Sequence, residues 1–122
     1  MTKPQILLID DHAMFRAGLS LVIGSAIPEV RIVEAATIDG ALGLPLDAVD
    51  LVLLDIKLDG VSGLDGIALL KRNWPATPIL MLSSLDEPKT ERLAITRGAA
   101  GFMSKAETAE KIVGAVTSLL QG

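Results

Sequence analysis

The chain has no cysteine and almost no aromatic side chains: of 122 residues, two are Phe, one is Trp and none is Tyr. Missing thiols exclude a disulfide framework and thiolate metal sites, and they suit a reducing cytoplasm. The scarcity of rings leaves a core built from Leu, Ile, Val and Ala, since 50% of the residues are hydrophobic. Positive charge is also in deficit, and a formal net charge of −4 argues against a general nucleic-acid surface within these residues. No segment approaches the roughly 20 apolar residues of a membrane span. The opening Met1-Thr2-Lys3-Pro4-Gln5 lacks the pattern of a signal peptide. A soluble, cytoplasmic chain of one ordinary domain, residues 1–122, is expected, with no membrane contact.

What is present is a regular alternation. Short apolar runs occur at Ile6–Ile9, Arg31–Ala35, Leu51–Leu54 and Ile79–Leu82, with a weaker fifth over Ala99–Met103. Such runs alone are ambiguous between buried strands and pieces of buried helix, and the segments between them decide. Phe15, Leu19 and Val22 share one helical face, in a helix that should fade by Gly24-Ser25. Thr37-Ile38-Asp39 can open a second, less regular helix, because Thr is a competent N-cap, and Pro45 makes its end irregular. Leu64, Ile67 and Leu70 or Lys71 mark a third helix, closed by Trp74-Pro75. A fourth spans roughly Glu87 to Arg97 and stops at Gly98, and a fifth runs from about Glu107 to Leu120 with Ile112, Val113, Val116 and Leu120 inward.

Strands separated by helices must be parallel, with right-handed crossovers. The expected fold class is therefore α/β, a doubly wound parallel sheet of five βα units, flavodoxin-like, with strand order 2-1-3-4-5. In that arrangement the strand ends gather Asp10-Asp11, Asp55, Ser83 and Lys105 on one edge. Each has an ordinary reading when taken alone: a turn or helix cap for the aspartates, a loop start for Ser83, a solvated surface residue for Lys105. Taken together they are far more specific. Three clustered carboxylates repel one another and favour a divalent cation, and a nearby lysine favours an incoming anion. That combination outlines a phosphoryl-transfer site. His12 has no partner at a metal-ligand spacing, and the first helix is expected to carry it outward in a structural role.

Five stretches carry a resemblance to a known family. They are Ile6-Leu7-Leu8-Ile9-Asp10-Asp11-His12, Leu53-Leu54-Asp55-Ile56-Lys57-Leu58 and Gly60-Val61-Ser62-Gly63-Leu64, then Pro78-Ile79-Leu80-Met81-Leu82-Ser83 and Arg97-Gly98-Ala99-Ala100-Gly101-Phe102-Met103-Ser104-Lys105. Across nearly its whole length the chain resembles the receiver domain of two-component response regulators. Asp10-Asp11-His12 and Gly101-Phe102-Met103-Ser104-Lys105 resemble the subfamily that usually carries a C-terminal helix-turn-helix of the LuxR/NarL type.

The resemblance implies roles. Asp55 would accept a phosphoryl group from a sensor histidine kinase. Asp11 would bind Mg2+ directly and Asp10 largely through water, with Asp55 and the Lys57 backbone carbonyl completing the protein ligands. Lys105 and the Ser83 hydroxyl would contact phosphoryl oxygens. Phe102 would follow Ser83 as the switch aromatic, shifting the face formed by the fourth helix, fifth strand and fifth helix. Mg2+ suits an all-oxygen site that keeps water, and phosphoryl transfer asks mostly for positioning and charge neutralisation. The domain would be a signalling switch and not a turnover enzyme, limited to its own phosphorylation and dephosphorylation.

Two positions depart from the family pattern. Asp59 stands where a proline is frequent, leaving Gly60 and Gly63 for the turns. Ala106 follows Lys105 where a cis proline is frequent, so a trans bond is expected, because a cis bond before a non-proline residue costs ~3 kcal/mol. Family lifetimes depend on the positions held here by Lys57 and Leu85. Leu85 has no polar group to orient an attacking water, which implies a long-lived aspartyl phosphate; a Leu85→Glu variant that loses phosphate no faster would refute this.

Two other classes compete. A phosphohydrolase of the haloacid-dehalogenase type needs a second aspartate two residues after its nucleophile, and neither Asp10 nor Asp55 has one. A pseudo-receiver would act without phosphorylation, although the expected site residues are all in place. No effector domain lies within these residues, so the output expected from the resemblance is transcription through a C-terminal DNA-binding domain. A single-domain phosphorelay or protein-interaction receiver is the alternative. The partners implied are the kinase and a homodimer, through the first and fifth helices or through the switching face.

Overall fold

Every apolar run forms a strand, and the first, third, fourth and fifth strands each end at or just before the charge or hydroxyl expected there. The computed structural model describes residues 3–58, 60–84 and 88–122. The expectations for Asp59 and Leu85, and for a fourth helix starting at Glu87, lie outside the described residues. In chain order the elements are β1 Gln5–Ile9, α1 Ala13–Ala26, β2 Arg31–Ala35, α2 Ile38–Leu42 and β3 Leu51–Asp55, then α3 Gly63–Asn73, β4 Ile79–Ser83, α4 Pro88–Thr96, β5 Gly101–Ser104 and α5 Ala109–Leu120. All strand pairs are parallel, and the sheet order is β2-β1-β3-β4-β5, as the alternation requires.

The sheet is buried on both faces, which is why its central strands read as unbroken apolar runs. Successive side chains point to opposite sides. Leu7, Ile9, Val52, Leu54, Ile79 and Met81 form one core with residues of α2, α3 and α4, among them Ile38, Ile67, Leu70 and Ala94. Ile6, Leu8, Leu51, Leu53, Leu80 and Leu82 form the other with Leu19 and Ile23 of α1 and Ile112 and Val116 of α5. Truncating one of these fully buried leucines to alanine costs about 2–5 kcal/mol.

Helix ends follow local chemistry. Thr37, Ser62 and Thr108 cap α2, α3 and α5, each hydroxyl accepting from the backbone N–H three residues on, at 2.9, 3.2 and 3.2 Å. α5 therefore begins at Ala109, two residues later than its apolar pattern suggests, because Thr108 takes the cap. α1 continues through Ser25 to Ala26, one turn being closed by the Ile27 N–H on the Ile23 carbonyl. α2 is only 5 residues long. After α4, Gly98 has φ +111, a conformation side chains disfavour.

Candidate functional site

The order 2-1-3-4-5 reverses the direction of chain progression between β1 and β3, and ligands of open α/β sheets bind at the carboxyl ends of strands flanking that point. Asp10 follows β1 and Asp55 ends β3; both are buried, at 0% and 2% exposure. Ser83 ends β4 and is also buried. Lys105 directly follows β5, and its backbone N–H donates to the Ser83 carbonyl at 2.8 Å, so the ends of β4 and β5 are tied together. The residues expected at one edge are thus brought together there.

Lys105 Nζ lies 2.6 Å from Asp10 Oδ2 and 3.1 Å from Asp55 Oδ2. The Asp55 contact is a hydrogen bond. The Asp10 contact is close but not aligned as one: Asp10 Oδ2 and Asp11 Oδ1 are the buried side-chain oxygens left without a hydrogen-bond donor among the described residues. Asp55 Oδ1 accepts from the Lys57 N–H at 3.3 Å. Burial raises the Asp55 carboxyl above its ordinary value, and the Asp10 charge adds to this; Lys105 and the Lys57 N–H pull it the other way. One ligand atom from each of Asp10, Asp11, His12 and Asp55 falls within 4.8 Å of the others. Three carboxylates gathered at this spacing, two of their oxygens with ion-pair contacts but no aligned hydrogen bond, fit a hard divalent cation.

His12 is turned outward as expected but differs from expectation in its neighbours. Its ring is 69% exposed, yet Nδ1 stands 3.2 Å from Asp10 Oδ1 and 3.3 Å from Asp11 Oδ1. The cause is local: the His12 backbone N–H donates to Asp10 Oδ1 at 2.8 Å, folding the residue back over the acidic pair just before α1 begins.

Two further residues, Phe15 and Arg16, touch the site without having been singled out as parts of it. The Phe15 ring centroid is 4.6 Å from Lys105 Nζ, an aromatic roof over the ammonium. Arg16 donates through Nη1 to the Asp10 carbonyl and through Nε to Glu34 Oε1, the latter at 3.1 Å. The sequence signals were slight: an arginine four residues after His12, and an acid inside the β2 run Arg31–Ala35. Phe102 is half-buried, pairs with Met81 across β4 and β5, and packs on the first core. The peptide bonds of the described residues are trans, including the one before Ala106.

Residues 6–117 match the family model for the response regulator receiver domain. The glycerol metabolism activator of Pseudomonas putida is 34% identical over 120 residues, which cover 97% of this chain and 54% of that protein. The response regulator UvrY of Escherichia coli is 30% identical over 119 residues, covering 96% of this chain and 54% of that protein. The chain therefore spans about half the length of the curated relatives it matches. Among solved structures, the signal receiver domain of the putative response regulator NarL from Mycobacterium tuberculosis is 34% identical and superposes with a TM-score of 0.87, covering 100% of this chain and 99% of that one. On the strength of sheet order, strand-end chemistry and these likenesses, the chain belongs to the response regulator receiver domains of two-component signalling, in the LuxR/NarL-type group.

Proposed function

We propose that Asp55 is the phosphoacceptor, that Asp10, Asp11, Asp55 and the Lys57 carbonyl hold Mg2+, and that Lys105 and Ser83 receive the phosphoryl oxygens. The observation that carries this reading is the convergence of Lys105 Nζ on Asp55, 3.1 Å away, beside the clustered carboxylates of Asp10 and Asp11. An Asp55 oxygen attacks the phosphorus of a phosphohistidine on a sensor kinase. The O–P bond forms as the P–N bond breaks, and the imidazole leaves with the bonding pair. Bound Mg2+ supplies positive charge to the phosphoryl oxygens. Lys105 releases Asp55 Oδ2 and takes a phosphoryl oxygen, orienting the group from the β5 side, while the Ser83 hydroxyl holds another from β4.

The output follows from the added charge. Ser83 moves toward the phosphoryl group, Phe102 moves into the space beside it, and the surface of α4, β5 and α5 shifts between two packings. Residues 1–122 form the receiver. The compartment is the cytoplasm, and a homodimer and a C-terminal DNA-binding domain are the proposed means of acting on transcription. Among the described residues no helix is long and apolar enough to cross a membrane.

Intact-mass measurement after incubation with acetyl phosphate and Mg2+ tests the reading. Wild type should gain one phosphoryl group and Asp55→Ala none. An unmodified wild type, or an adduct that persists in Asp55→Ala, refutes it.

A further inference from the structure

Asp10 is fully buried, and its carbonyl lies just beyond the last paired residue of β1, Ile9. A buried carbonyl without a donor is costly. Arg16 supplies that donor, reaching back from α1 to the Asp10 oxygen, with its side chain 18% exposed. The peptide unit is planar, so a held Asp10 carbonyl also fixes the Asp11 N–H and the Cα atoms from which both side chains leave the backbone. On the other side, the Asp10 N–H donates to the Ala35 carbonyl of β2 at 3.0 Å.

Arg16 is itself held. Its Nε donates to Glu34 Oε1 at 3.1 Å, and Ser20 Oγ, one helical turn further along α1, donates to Glu34 Oε2 at 3.2 Å. Glu34 lies next to Ala35, the residue whose carbonyl receives the Asp10 N–H. The guanidinium fork thus joins α1, β2 and the acidic turn with one rigid group, a geometry that an ammonium cannot reproduce. Glu34 also cancels the Arg16 charge, so the brace adds no net repulsion beside a cation site.

We infer that Arg16, oriented by Glu34, is a positioning residue that sets the Asp10-Asp11 carboxylates for cation binding. This rests on the metal reading above. Residues behind metal ligands commonly set affinity through ligand orientation, and their loss costs about 10–100-fold.

Calorimetric titration of Mg2+ into the full chain tests it, with wild type, Arg16→Met, Arg16→Lys and Glu34→Gln. Arg16→Met should weaken Mg2+ binding by about 10-fold or more, with Arg16→Lys and Glu34→Gln weakened less. In acetyl phosphate labelling, the Mg2+ concentration for half-maximal rate should rise by the same factor, while the rate at saturating Mg2+ stays within about twofold of wild type. A brace serving stability alone would lower the thermal midpoint and leave Mg2+ affinity unchanged. Wild-type Mg2+ affinity in both Arg16 variants overturns the inference, and if Arg16→Met does not fold, Arg16→Lys decides it. A wild type that binds no Mg2+ overturns the metal reading and the brace together.

Discussion

Lys105 Nζ donates to Asp55 Oδ2 across 3.1 Å, so the cation proposed to receive the phosphoryl group already neutralises the carboxylate proposed to accept it. The same ammonium is 2.6 Å from Asp10 Oδ2, so it also stands against part of the acidic cluster. Its two proposed effects have opposite signs. Replacing Lys105 by methionine should slow labelling by acetyl phosphate about 100-fold, as loss of one preorganised donor does. Mg2+ binding should be as tight as in wild type or tighter, because a competing positive charge is gone. Labelling rates and calorimetry on the same sample check both, and weaker Mg2+ binding would contradict this assignment.

Asp55 predicts a pH dependence. Its carboxyl is raised above 3.8, chiefly by burial and then by Asp10. The folded state therefore holds the proton more tightly than the unfolded chain. Stability falls as pH rises through the window that opens at 3.8 and extends upward. Asp55→Asn removes that slope. In metal-free buffer, the thermal midpoint of Asp55→Asn should gain on wild type as pH climbs from about 4 to about 7. A constant difference would show that Asp55 titrates alike in both states.

Gly63 opens α3 directly against the turn that carries Asp55. Its N–H donates to the Ile56 carbonyl at 2.9 Å, and a Cβ there would stand 2.2 Å from the Asp55 carbonyl oxygen and 2.8 Å from Ile56 Cα. Backbone on both sides leaves little room to give. Gly63→Ala should destabilise the fold by about 1–3 kcal/mol, the usual range for overpacking, and should slow labelling of Asp55 by shifting its turn. Denaturant unfolding with parallel labelling measures both effects.

The chain's two phenylalanines, Phe15 and Phe102, offer a direct view of switching. Phe15 lies over Lys105, and Phe102 packs on the first core beside β4. With fluorine-labelled phenylalanine, adding beryllofluoride and Mg2+ should move both resonances in wild type and neither in Asp55→Asn. Ser83→Ala should keep the Phe15 change and reduce that of Phe102. A stationary Phe102 resonance in wild type would exclude it as the switch aromatic.

The fold and the strand-end residues were legible because both are written in local pattern. Apolar runs such as Leu51–Leu54 and Ile79–Leu82 end in Asp55 and Ser83, and parallel strands align such ends without long-range information. Helix caps at Thr37 and Thr108 were less evenly read: the first was recognised, whereas the second moved the start of α5. The Arg16–Glu34 pair was not legible, because it joins residues 18 apart through the rotation of α1 against β2. The contact of His12 with the acidic pair was missed for a related reason. Its ring is exposed, as helix phase suggests, but a bond from its backbone to Asp10 leaves Nδ1 within 3.3 Å of both acidic side chains.

The central claim is that Asp55, among all the carboxylates of this chain, forms the acyl phosphate. Borohydride reduction of the protein after incubation with acetyl phosphate and Mg2+, followed by peptide mass spectrometry, reads the position directly, because an aspartyl phosphate is reduced to homoserine. The account predicts homoserine at position 55 and at no other aspartate. Reduction at Asp10 or Asp11, or no reduction in protein shown to be folded and Mg2+-bound, would contradict it.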